Sequence, residues 1–404
     1  MPKILPAIAD RHAVLERSRT QKMARSAHAY VRGNTAKFYE WLGASEAARR
    51  VPDGPAIWIC GDCHLGNLGP LAAGDGRVEI QIRDLDQAVI GNPAHDLIRL
   101  GLSLATAARG SDLPGVTIAR MIEAMVEGYA AAMGDPQAGK TGPEPDVVRS
   151  VRKRALGRRW RHLARERLEA IEPQIPLGRK FWALADEERR ALTTVFDDPA
   201  VVRLVLSLDR KDADRSVRLV DAAYWMKGCS SLGLRRYAAV LELKGGKGRS
   251  DYAIVDLKEA TDPIAPSLPD AAMPSDNAER VATAARALSP HLGARMIPVR
   301  MLGRSLFIRE LAPQDSSSRS SSSATARRSR PAAISRSSSA GRMPDRWTPR
   351  RARGGWGCSK RIAAARSMRR HGCGTAWSRS PARMKPGIWS IVGGMPWPLE
   401  RPCH

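Results

Sequence analysis

Residues 55–97, PAIWICGDCHLGNLGPLAAGDGRVEIQIRDLDQAVIGNPAHDL, are the stretch on which the reading of this chain turns. PAIWIC is a short apolar run of the kind a buried strand needs, and it stops at a glycine. VEIQIRDLD alternates apolar and polar residues as a second strand does, after the turn residues GDG. An apolar helix is expected from Pro93 to Arg109. Asp62, His64 and Asn67 therefore fall on one glycine-bounded loop, and Asp84-Leu-Asp86 falls on the strand that follows it.

Acids beside glycine turns often do no more than cap strands and helices. Here the spacing suggests chemistry. Phosphoryl transfer needs a carboxylate beside the attacking hydroxyl, hard oxygen ligands for Mg²⁺ and cations around the phosphates. Asp62 and Asn67 on one tight loop, with Asp84 and Asp86 on the next strand, supply the first two. His64 is read as a residue that holds the loop by hydrogen bonding rather than as a metal ligand. Cys60 and Cys63 lack the second pair that a structural zinc requires, and are read as packing residues near the site.

The wording GDCHLGN, then IRDLDQA, then GNPAHDL is similar to aminoglycoside and choline phosphotransferases, with their G-D-x-H-x-x-N loop, I-D-x-x-x-A strand and G-x-P-x-x-D-L helix start. That resemblance implies Asp62 as catalytic base, Asn67, Asp84 and Asp86 as metal ligands, and Asp96 as an acid bracing the loop. It leaves open which of Asp84 and Asp86 is the principal ligand. Further along, GCSSLGLRRYAAVLEL places Gly228, Ser230, Ser231 and Gly233 between two strands, either as a hairpin loop or as a phosphate-covering loop. Lys258, in VDLKEA, stands where kinase-like proteins hold the nucleotide phosphates, with Glu279 on the next helix as its expected partner. These parts come after the catalytic loop, so the implied fold is α+β, of protein-kinase-like two-lobed architecture but circularly permuted. The implied cofactors are Mg²⁺ and ATP or GTP.

The blocks KMARSAHAYVRGN, GDCHLGN, RDLDQA, HDLIRLGLSLATAA, GCSSLGLRRY, LKEA and FIREL, in this order, resemble the bacterial family catalogued as domain of unknown function 2252. That family brings no established reaction. Arg32 and Arg309 lie in these shared blocks and are candidate phosphate clamps.

Outside these blocks the chain divides by composition. Residues 1–133 are the catalytic-loop and metal-strand region, opening with helical periodicity from Asp10 to Trp41 that breaks near Gly33. Residues 134–146 form a linker, whose AGKTG lacks the upstream glycine and strand of a phosphate-binding loop. Residues 147–227 are a charged helical region, with Leu163 and Leu168 inward. Residues 228–315 are a β-rich lobe carrying the glycine loop and Lys258. Its strands are LRRYAAVLELKG, SDYAIVDLKEA, ARMIPVRML and SLFIREL, with a helix at 277–289.

From Ser316 the vocabulary changes. Of the chain's 66 Lys+Arg and 41 Asp+Glu, residues 316–404 hold 19 and 2, so this stretch supplies +17 of the net +25. It has no Phe or Tyr, but five of the ten Trp. Arg, Ser, Pro, Gly, Trp and Cys without acids are what a GC-rich gene yields in a shifted frame, and the segment is read as a frameshifted or disordered tail. A genuine tail of this charge would instead bind nucleic acid through counterion release. No run of about 18 apolar residues appears, so no membrane partner is expected and the location is cytoplasmic.

The leading expectation is a metal-dependent phosphotransferase that binds a nucleotide and acts on an unknown small-molecule or protein substrate. The alternatives are a non-catalytic scaffold, a metal-dependent phosphoesterase and nucleic-acid binding through the tail. The two-metal phosphatases that share G-D-x-H also need an upstream D-x-H and a downstream G-N-H-[DE], which this chain lacks.

Overall fold

The computed structural model describes residues 8–46, 48–73, 78–134, 149, 174–207, 216–227, 233–244 and 250–311. The expected linker, most of the charged helical stretch with Leu163 and Leu168, the loop residues Gly228, Ser230 and Ser231, and the basic tail lie outside them.

The N-terminal periodicity resolves into three helices: α1 (Arg11–Met23), α2 (Ala27–Gly33) and α3 (Thr35–Ala44). Side-chain caps make the breaks. Ser26 accepts from the Ala29 N–H to start α2, and Asn34 accepts from the Lys37 N–H to start α3, each satisfying an amide the helix start leaves over.

The deciding stretch forms two small antiparallel ladders. Strand β1 (Ile57–Ile59) pairs with β4 (Val89–Gly91), and β2 (Leu68–Ala72) pairs with β3 (Val78–Ile82). This corrects the expected second strand, because β3 ends at Ile82. The Arg83 N–H then bonds to the Asn67 carbonyl, and Asp84-Leu-Asp86 leave the ladder on a turn. Helix α4 (Pro93–Arg109) starts at Asn92, whose side chain accepts from the Ala94 N–H, with Pro93 at the first helical position. It is buried nearly all round. Ile98 and Leu102 meet Phe38 and Leu42 of α3, while Leu97, Leu100 and Leu104 share a core with Ile122 and Met125 of α5 (Gly115–Gly134).

The rest of the fold is one antiparallel sheet of six strands, in the order β5 (Phe181–Trp182), β6 (Ser216–Trp225), β7 (Arg236–Lys244), β8 (Ser250–Glu259), β10 (Arg304–Glu310), β9 (Met296–Met301). The expected boundary at 227/228 is therefore corrected. SVRLVDAAYW, at the end of the supposed helical region, pairs with β7 over most of its length. Helices α6 (Asp186–Asp197) and α7 (Pro199–Ser207) do lie in that region.

Strand alternation splits the sheet by face. Val255, Leu257, Leu306 and Ile308 join a core with Leu15 of α1, Leu192 of α6 and Val201 of α7. Phe307 joins the other core, built from Cys60, Leu85, Leu97 and Leu100 together with Val281, Ala282 and Ala285 of α8 (Asn277–Leu288). Phe307 is the direct partner of Lys258 on β8, so the lysine is delivered to the face that packs on the 55–97 stretch. A one-turn helix α9 (Pro290–Gly293) leads into β9. No helix among the described residues is long and apolar enough to cross a membrane.

Candidate functional site

The loop after β1 is held from three directions. Gly61 has φ +72°, and a Cβ there would stand 2.0 Å from the Gln87 carbonyl oxygen, so only glycine fits this crossing. The Asp96 carboxylate, in the first turn of α4, accepts from the N–H groups of Cys60 (2.7 Å) and Gly61 (2.9 Å). Burial pushes its pKa up to about 7 even though those two donors pull it down. The Leu65 N–H bonds to Ser103 Oγ at 3.1 Å, and Arg83 donates to the Gly66 carbonyl at 2.9 Å.

Asp62 is buried, and Arg99 of α4 binds its Oδ1 twice, from Nε at 3.0 Å and from Nη2 at 2.6 Å. The same Nη2 reaches Thr35 Oγ1 at 3.2 Å. Asp62 Oδ2 is left facing His64 Nε2 across 3.8 Å. Asn67 donates from Nδ2 to the Asp62 carbonyl at 3.0 Å and closes the loop on itself. His64 does not hold the loop as expected. It is buried, its Nδ1 has no hydrogen-bond partner, and desolvation lowers its pKa to about 4 against the pull of Asp62.

Asp84 and Asp86 converge on Lys258, which is 2% exposed. The ammonium donates to the two oxygens of Asp84 at 3.1 and 3.2 Å and is in direct contact with Asp86 Oδ2. The two acids divide the electrostatic load. Burial raises Asp84, but Lys258, Arg309 and Arg236 outweigh it and hold the carboxyl below the ordinary range. Burial and the neighbouring Asp84 charge together raise Asp86 to about 7. The Asp84 side chain keeps 39% of its surface open to water, whereas Asp86 Oδ1 is buried with no hydrogen-bond partner.

Glu279 is not the partner of Lys258. It stands exposed in the first turn of α8, where its N–H bonds to the capping Asp276. Arg309 is likewise committed. It shares the buried Asp256 with Arg236 and donates to the Arg83 carbonyl at 3.0 Å. Gly233, with φ +107°, opens the stretch that follows the undescribed loop residues Gly228, Ser230 and Ser231. The next residue, Leu234, reaches the cleft.

That open cleft encloses about 560 Å³, mouth included, and is lined by Asp62, Asn67, Asp84, Asp86, Gln87 and Glu259, with Arg19, Gly33 and Thr35 from the N-terminal helices and Leu234, Thr261 and Ile264. Four of the predicted site residues, from two separate segments, thus share one cavity wall. Sequence reading missed Arg99, and it missed Arg280 of α8, whose guanidinium donates to the carbonyls of Asp86 (3.0 Å), Thr261 (2.9 Å) and Ala88. Each is a buried arginine in a helix rich in Ala and Leu.

The donor set suits a hard divalent cation: two carboxylates and an amide, one carboxylate oxygen buried and unpartnered. Among the described residues no group of three or more His, Cys, Asp or Glu side chains is placed to hold a metal ion by itself. An ion bound mainly by water and phosphate oxygens does not require one. Cys60 and Cys63 are buried free thiols. Cys60 Sγ lies 3.5 Å from the Asp84 carbonyl, and its hydrogen bond to Cys63 followed by burial raises its pKa well above the ordinary value. They pack the loop against the acidic turn.

Fold and site together define an α+β protein with a lysine–diacid centre whose two acids line an open cleft. The chain belongs to the family described as uncharacterized proteins conserved in bacteria (DUF2252), whose model matches residues 11–333. No curated protein and no solved structure matches it.

Proposed function

We propose that this protein is a kinase-like phosphotransferase that uses ATP or GTP with Mg²⁺ and acts on a hydroxyl group. One observation carries the reading: Lys258 and Asp84, 174 residues apart, meet in a hydrogen-bonded cluster with Asp86, beside the cleft that Asp62 and Asn67 also line. The order β6, β7, Lys258 near the end of β8 and then helix α8 supports the reading, since a kinase-like nucleotide lobe placed after its catalytic loop would need that order.

In this reading Asp84, Asp86 and the Asn67 amide hold the metal. Mg²⁺ held there would supply positive charge against the nucleotide phosphates. Lys258, held here by both acids, is the residue whose ammonium would bind the nucleotide phosphates. Asp62 presents Oδ2, the oxygen Arg99 leaves uncovered, to the acceptor hydroxyl and takes its proton. Arg99 and Asn67 fix that carboxylate from behind, so little reorganisation is left for the reaction itself.

Calorimetry with Mg²⁺ and ATP on the wild type, Asp84→Ala and Asp62→Ala tests the assignment. Asp84→Ala is expected to lose metal-dependent nucleotide affinity. Asp62→Ala is expected to keep that affinity while losing turnover by about 10²-fold or more. Equal affinity in all three proteins would refute the reading.

A further inference from the structure

The acids that line the cleft are engaged with cations other than the two arginines nearest Asn67 and Thr35. Asp62 is paired with Arg99, and Asp84 and Asp86 are paired with Lys258. Two further guanidiniums have no hydrogen bond or ion pair among the described residues. Arg19 of α1 lines the cleft, with its Nε shielded from water and unpartnered. Arg32, at the end of α2, lies across Gly66: a Cβ built there would be 3.0 Å from Arg32 Nε and 3.2 Å from Cζ. It thus flanks Asn67, and its chain neighbour Gly33 lines the cleft with Arg19 and Thr35.

This part of the wall is tied to Asp62 rather than to Lys258. Thr35 Oγ1 is bonded to Arg99 Nη2, and that same nitrogen grips Asp62. The Lys258 side of the site is lined instead by Glu259, Thr261, Ile264 and Leu234. A guanidinium with free donors recognises phosphate or carboxylate through paired N–H···O bonds, and does so best where water is partly excluded.

From this we infer that the acceptor substrate is an acidic small molecule, whose oxyanion group is held by Arg19 and Arg32 while its hydroxyl faces Asp62. The inference rests on the phosphotransferase reading and assigns that enzyme's substrate class.

The test is calorimetric titration of inorganic phosphate into the full chain. One series uses protein saturated with Mg²⁺ and a non-hydrolysable ATP analogue, so that the donor site is filled, and a second uses nucleotide-free protein. The proteins are wild type, Arg19→Gln, Arg32→Gln and Arg19→Lys. Saturable phosphate binding is expected in both series for the wild type, weakened about tenfold or more in each Gln variant and less in Arg19→Lys, with affinity for the analogue unchanged. Acetate in place of phosphate separates a carboxylate-bearing acceptor from a phosphate-bearing one.

The inference is overturned if phosphate does not bind the wild type, if binding survives in both Gln variants, or if those variants lose the analogue in parallel, as residues holding the donor phosphates would. Failure of the phosphotransferase reading looks different: the wild type then binds no analogue, while the nucleotide-free series still reports whether the arginine pair holds an oxyanion.

Discussion

Asp96 illustrates how much of the site depends on one side chain outside the cleft lining. Its two oxygens take the N–H groups of Cys60 and Gly61, the residues that carry the chain into Asp62. Asp96→Ala leaves both amides without partners in a buried turn, and is expected to destabilise the protein by about 2–5 kcal/mol in urea unfolding. A loss below about 1 kcal/mol would mean that the loop is held elsewhere. His64 contributes through pH. In the fold, burial keeps it neutral down to about 4, while the unfolded chain takes up the proton near 6.5. The unfolded state therefore binds more protons in this window, and stability is lost as pH falls from 6.5 towards 4. This one residue withdraws on the order of 3 kcal/mol. Asp86 and Asp96, with raised values, act in the opposite sense over the same range, so the difference between wild type and His64→Gln isolates the histidine. That difference should shrink as pH falls to 4; a constant offset would contradict the assignment. At this scale the grouping of Asp62, Asn67, Asp84 and Asp86 near Lys258 was legible, because their spacing on neighbouring segments follows a pattern that places them together. Arg99 and Arg280 were not, since nothing in local spacing says which distant acid or carbonyl an arginine inside an apolar helix will meet.

Among the elements, the centre of the sheet is a three-residue ion cluster: Asp256 of β8 between Arg236 of β7 and Arg309 of β10, with the carboxylate fully buried. Burial alone would raise Asp256, but the two guanidiniums hold it well below the ordinary range. Asp256→Ala strands two arginines in the sheet next to Lys258, and should cost about 3–5 kcal/mol by thermal or urea unfolding. A near-neutral change would show that water already compensates the pair. Strand β3 was readable from alternation, and β7, β8, β9 and β10 and helix α8 from the runs between turn residues. Strand β2 was not, because Gly69 and Pro70 in LGPLA signal a turn while the ladder to β3 overrides them. Strand β6 was hidden differently: it adjoins a highly charged helical stretch and its pairing partner is β7, so composition placed it on the wrong side of a boundary.

Over the whole molecule, the cleft exists because the two halves of the described chain pack through one core. Leu85 and Cys60 come from the acid-bearing stretch, Ala282 and Phe307 from the part of the chain that brings Lys258. Arg280 adds a polar tie across the same contact by holding the Asp86 and Ala88 carbonyls. The family match from residue 11 to 333 covers all of these elements and ends within the Ser/Arg-rich segment. The large net charge is mostly a property of residues 316–404, which lie outside the described residues. Whether both aspartates serve one cation is decided by counting bound Mn²⁺ by electron paramagnetic resonance, with ATP present, in wild type, Asp84→Ala and Asp86→Ala. One tightly held Mn²⁺ per wild-type chain, lost or weakened at least about tenfold in either variant, is the expected result. An unchanged Mn²⁺ count in both variants would contradict the account.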